Sequence, residues 1–177
     1  MKNESAGFGR HELAGFLDQQ LEHERKLLVA RLERASSRLV KLGARVSVGA
    51  RPGPGDAWSA HDVLAHIAVL SHFYGMLAYR TGTGALPEFD LLPLVRGRDA
   101  AGQQTAELDQ AEIVRQARQH HERTLTWLRS ATPADLRRTC NLGEGLRLTA
   151  EDLVRLPLIA HLEEHLDQLE KQLAVHQ

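Results

Sequence analysis

The sequence predicts an all-α fold, a four-helix bundle with a long connection between its second and third helices. Two observations carry this. Apolar residues recur at helical spacing over four long segments, and no segment shows the alternation of a half-buried strand. Three of the four segments also open with a residue of capping chemistry followed by an acid three positions on.

The first helix is expected over residues 9–42, with Leu13, Leu17, Leu21, Leu28, Leu32, Ala35, Leu39 and Leu42 along one face and Gly43 as its stop. Glu24 interrupts that inner face and is a candidate pocket acid. The second helix spans about 60–80, capped by Ser59 with Asp62, and Trp58 is placed to staple onto Val63. The third spans 110–130, capped by Asp109 with Glu112, and the fourth 150–175, capped by Thr149 with Asp152. Thr132-Pro133-Ala134-Asp135 reads as the start of a short extra helical turn. Residues 44–57 are rich in Pro and Gly and read as a loop. Residues 81–108 exceed an ordinary helix connection and contain the apolar run LPEFDLLPLV, broken by Pro87 and Pro93. Leu86, Phe89, Leu91 and Leu92 are expected to pack on the bundle, as padding or as a lid near a site.

A chain of 177 residues suits one domain, residues 1–177, with a core large enough to need no covalent staple. Its 22 basic and 23 acidic side chains nearly cancel, so the total charge asks for neither nucleic acid nor an anionic membrane as partner. No run approaches the roughly 18 apolar residues of a membrane span, and the first residues lack a signal-peptide core. Cys140 is the only cysteine, which excludes an intrachain disulfide and a cysteine-rich zinc site; a cytoplasmic location is expected. Cys140 sits in a Gly-flanked stretch with no evident base, so a nucleophile belonging to the chain is not expected.

Ten histidines are many for this length. His161 and His165, four apart, share one stripe of the fourth helix with Gln168 and Gln172. That stripe borders the leucine face of Leu158, Leu162, Leu166, Leu169 and Leu173. A pair at this spacing can grip a transition metal, and it equally suits two half-buried polar residues. Pro157, one turn earlier, should bend the helix. His66 lies among Val63, Leu70, Phe73 and Leu77 on the second helix. Asp62 is on the same side, where it could accept the second imidazole N–H, although capping competes for it. His121 falls on the apolar face of the third helix and could line the same cavity or simply be packed.

The stretch RPGPGDAWSAHDVLAHI, followed by TPADLRR and LTAEDLVRLPLIAHLEEHLDQLE with its H-x3-H-x2-Q pattern, resembles the DinB-like superfamily. The resemblance covers the chain from the Pro/Gly loop to its end. It implies a four-helix bundle, usually a homodimer, with a three-histidine site for Zn, Ni or a similar divalent metal. Carried over, the ligands are His66, His161 and His165. The resemblance further implies transfer or isomerisation with a low-molecular-weight thiol such as bacillithiol or mycothiol, or hydrolysis of a small-molecule substrate by metal-bound water. A non-catalytic metal-binding or ligand-binding bundle is the third expectation. This chain departs from the pattern at Ala68-Val69-Leu70, where many members carry a polar or acidic residue, and in residues 81–108, which match no motif.

Overall fold

The computed structural model describes residues 9–47, 58–143 and 145–175. Most of the Pro/Gly-rich stretch, and the side chains of Leu91 and Leu92, lie outside the described residues.

The four expected helices are present. α1 spans Arg10–Gly43, α2 Ala60–Gly82 and α4 Gln110–Ser130. The last rod is built from α6 (Ala150–Leu153), a π-helical turn (Val154–Ala160) and α7 (His161–Val175). The starts follow the capping grammar. Ser59 Oγ accepts from the Asp62 N–H and Thr149 Oγ1 from the Asp152 N–H, while each aspartate accepts from its cap residue's N–H in return. Asp109 caps α4 through the Glu112 N–H, but Glu112 turns its carboxylate to Arg115 and closes no reciprocal box.

α2 is the axis of the fold. It is buried on nearly every face, as an apolar helix enclosed by other helices must be. α4, α1 and the last rod pack around it through a core that includes Leu28, Leu32, Leu64, Ile67, Leu70, Leu128, Leu158 and Leu166. The leucine face of α1 joins this core only from Leu28 onward. Leu13 and Leu17 stay half-exposed.

Two elements differ from expectation. Residues 81–108 hold a helix, α3 (Leu91–Thr105), not a loop. Pro93 stands in its first turn, where the missing N–H would have had no intrahelical acceptor, so it starts the helix without breaking it. The apolar run divides accordingly. Leu86 and Phe89 pack near the C-terminal end of α2, where the Phe89 N–H donates to Asn141 O and the Asn141 N–H to Pro87 O. That is the end away from His66. α3 then runs back along α2 toward the other end. The second difference lies between the expected short turn, α5 (Pro133–Arg137), and α6. Here β1 (Thr139–Asn141) pairs antiparallel with β2 (Arg147–Thr149), Cys140 opposite Leu148. Gly143 and Gly145 supply the positive φ values of 88° and 79° in the connection. Cys140 is thus a fully buried strand residue.

α2 meets α4 through glycines. A Cβ on Gly82 would stand 2.4 Å from Cζ2 of Trp127. Gly82→Ala should therefore destabilise the fold by about 1–3 kcal/mol, the range for overpacking. In urea titrations its midpoint should drop with the m-value unchanged; an unshifted midpoint would show that the indole moves aside freely.

Candidate metal centre

α2 and the last rod run antiparallel, which sets His66 opposite His161 and His165. The three residues each offer a ligand nitrogen, all within 4.8 Å of one another, and each is half-buried. The rings make a compact set, His66 lying 4.6 Å from His165 and 5.6 Å from His161 between centroids.

Local chemistry decides which nitrogens face inward. Nδ1 of His165 lies 3.0 Å from Gln168 Oε1, an acceptor, so Nδ1 carries the proton and Nε2 a lone pair. The Pro157 carbonyl, one turn back, favours a proton on the His161 ring. The π-helical turn makes that carbonyl accessible. Pro157 has no N–H to give, and the His161 backbone N–H bonds to Leu156 O instead of taking Pro157 O. The Nε2 atoms of His161 and His165 face each other 2.9 Å apart, and His165 presents its lone pair there. Only a proton or a metal ion between them relieves that contact. Two nitrogens on one ion at about 2.0–2.1 Å would sit roughly 2.9–3.4 Å apart. Burial, then the neighbouring His165, holds the His161 pKa below its ordinary value, which disfavours the proton. The donor set could therefore hold a divalent metal ion.

Other groups close the site. The Trp58 ring lies 4.7 Å from His66 and stacks on His165 at 6.2 Å, while Gln172 Nε2 donates to the Trp58 carbonyl. The Tyr74 ring lies 6.4 Å from His161, and Arg98 Nη1 of α3 donates to its hydroxyl at 3.3 Å. Trp58, Asp62, His66, Arg98, Gly102, Gln103 and Ala106 line a cleft of about 630 Å³.

The sequence model of the DinB superfamily matches residues 13–169. The chain belongs to the DinB superfamily. No curated protein and no solved structure matches it.

Within this DinB-superfamily chain the remaining candidates separate. Gln168 supports the triad directly. Asp62 lines the cleft, but its Oδ2 accepts from the Ser59 N–H and hydroxyl, so capping claims it, and no bond to an imidazole is seen. Glu24 is paired with an arginine. Its carboxylate binds Arg155 of the π-helical turn at 2.8 Å, which lowers its pKa. His121 lies elsewhere, buried between α4 and α2 and bonded to Ser71. Trp58, Tyr74 and Arg98 had no sequence signal as site residues, because their roles arise from the approach of α2, α3 and the last rod.

His121 has its own consequence. Ser71 Oγ donates to Ile67 O at 2.6 Å and so accepts from His121 Nε2–H at 2.8 Å, leaving Nδ1 buried without a partner. Burial, then His120, pushes the His121 pKa down to about 4. An unfolded histidine titrates near 6.5, so between those values the unfolded chain binds a proton that the folded chain refuses. Stability should fall as pH drops through that window, by on the order of 2 kcal/mol between about pH 7 and pH 5 from this residue. His121→Gln should flatten that slope in urea titrations at the two pH values. An unchanged slope would show that His121 takes up its proton inside the fold.

Proposed function

We propose that this chain holds one divalent metal ion, Zn or Ni, through His66, His161 and His165, and uses it to transfer a low-molecular-weight thiol of the bacillithiol or mycothiol type to an electrophilic small molecule. The observation that carries the reading is the facing pair of His161 and His165 nitrogens, with His66 beside them. An ion held by three neutral imidazoles keeps a coordination position for a small molecule and lowers the pKa of a thiol or water that takes it.

The chain's own residues do the rest. Gln168 fixes the His165 tautomer, as acceptors behind metal-ligating histidines do. Trp58 shields His66 and His165 from solvent on one side. Arg98 brings positive charge to the cleft wall, which suits a thiol bearing a carboxylate. The buried Cys140 is out of reach of any substrate, so an external nucleophile fits better than a covalent enzyme intermediate. Hydrolysis by metal-bound water is the second reading, and it gains less from the site because the Asp62 carboxylate is committed to the α2 cap. The reading includes a homodimer and a cytoplasmic location. Leu13, Phe16 and Leu17, half-exposed on one side of α1, suit the dimer contact. No helix among the described residues is long and apolar enough to cross a membrane.

Replacing His165 by Ala should abolish stoichiometric binding of Zn or Ni in equilibrium dialysis while the far-ultraviolet circular dichroism stays helical, because leucine stripes hold the bundle. Unfolding of His165→Ala would make the metal structural.

The metal-loaded chain should speed addition of bacillithiol, mycothiol or glutathione to a chlorinated aromatic, and a chelator should remove the effect. A free thiol with a pKa near 8.5 is only a few per cent thiolate at pH 7, so the enhancement should be greatest at about pH 6–7 and shrink toward about pH 8.5. Cleavage of an ester or amide without thiol turnover would establish the hydrolase reading instead. Metal binding with neither activity would leave a binding protein.

A further inference from the structure

A second set of polar side chains lies on another side of α2, against α4. His72 and His120 stack with centroids 4.5 Å apart, and their Nδ1 atoms are 3.3 Å from each other. They border a pocket of about 320 Å³ between the two helices, within the roughly 300–1,000 Å³ of small-molecule sites. Gly75, Met76 and the Tyr79 ring give it apolar walls, and Arg123 stands at its edge.

The charges in this pocket are one-sided. No carboxylate is among its lining residues. Arg123 makes no hydrogen bond or ion pair with a described residue, whereas Arg115 and Arg129 of the same helix each engage carboxylates. Burial first, and then nearby positive charge including Arg123, holds His72 below its ordinary pKa and His120 down to about 4. The cationic forms are disfavoured for want of a counter-ion, and a bound cation would meet the same repulsion. In the neutral pair one Nδ1–H donates to the other Nδ1, so the accepting ring carries its own proton on Nε2 and can give it to a ligand. Ser71 and Thr124 spend their hydroxyl protons on the Ile67 and His120 carbonyls, which leaves Arg123, the histidine pair and the Tyr79 hydroxyl as the pocket's donors.

We propose that the pocket between α2 and α4, bordered by His72, His120 and Arg123, binds a small organic anion with a short apolar body, separately from the histidine triad. Arg123 supplies the charge, the histidine pair an N–H, and Met76 with the Tyr79 ring the apolar contact. The pocket belongs to this chain's own helices and does not depend on a metal.

Phenylphosphonate is the probe, with the full chain dialysed against chelator so that no metal recruits the anion. Its imidazole resonances are followed by NMR. The expected result is a saturable shift at His72 and His120 with His66, His161 and His165 unmoved, and no competition by benzyl alcohol. Arg123 is exposed, so Arg123→Gln should fold normally; it should weaken binding about tenfold or more, with partial recovery in Arg123→Lys. The proposal is overturned by absence of a saturable shift, by shifts confined to the triad, or by equal response to benzyl alcohol with undiminished affinity in Arg123→Gln.

Discussion

The enclosure of α2 is the constraint on which the rest of this structure depends. A helix apolar on every side cannot leave one face in water, so α1, α4 and the last rod must surround it. A polar side chain on such a helix costs free energy unless its hydrogen-bonding groups are met, and among the described residues His61 Nδ1 and Thr81 Oγ1 are buried without a partner. Ser71 meets the Ile67 carbonyl and His121, and His61 reaches the Ala106 carbonyl at 3.0 Å. His66 faces two other imidazoles, with ring centroids 4.6 and 5.6 Å away. Burial of α2 thus makes the triad energetically consequential.

The last rod contributes two histidines in the required orientation because its helix is locally widened. Pro157 removes one N–H from the ladder, and the π-helical turn absorbs the loss, with the His161 N–H reaching Leu156 O. α1 holds this rod by charge. Glu24 grips Arg155 in the turn itself, Arg31 chelates Glu163 with bonds of 3.1 and 2.6 Å, and Arg38 reaches Asp167 and Glu170. Part-exposed pairs of this kind add little stability, about 0–1 kcal/mol each. Their effect is rotational. They turn the acidic stripe of α7 toward α1, and the stripe of His161, His165 and Gln168 then has to face α2.

Much of this was legible in the sequence because it rests on local chemistry. Ser59, Asp109 and Thr149 mark helix starts through bonds to residues three positions away, and the leucine stripes mark faces that any bundle must bury. The triad was legible for a different reason: its motif residues match a family pattern over most of the chain. What escaped depends on partners distant in sequence or on signals too short to register. α3 was hidden by Pro93, whose place in the first turn cannot be told from a break without knowing where the helix begins. A hairpin of three-residue strands has no alternation to detect. Glu24 sits on the inner face of α1 as expected, but the sequence does not say that Arg155 will lie opposite. Trp58 reads as a staple for α2, and only the approach of α7 places it over His66 and His165.

The two histidine groups on α2 show how neighbours, more than residue type, determine what a site can hold. At the triad, His165 gives its Nδ1 proton to the uncharged Gln168, and the ring nitrogens of the three histidines converge. Glu164 adds a negative charge that favours positive charge at His161. Arg98 acts the other way on His161, so what calls for a cation here is the convergence of ring nitrogens. At the second group the pair of Nδ1 atoms already shares a proton, the guanidinium of Arg123 acts on both rings, and no lining residue is acidic. Imidazole N–H groups beside an unpaired cation call for an anion. His66 and His72 are six residues apart, more than a full turn and a half, so one helix presents both groups on separate faces. The two groups differ because α7 offers the Gln168 oxygen to one and α4 offers an arginine to the other.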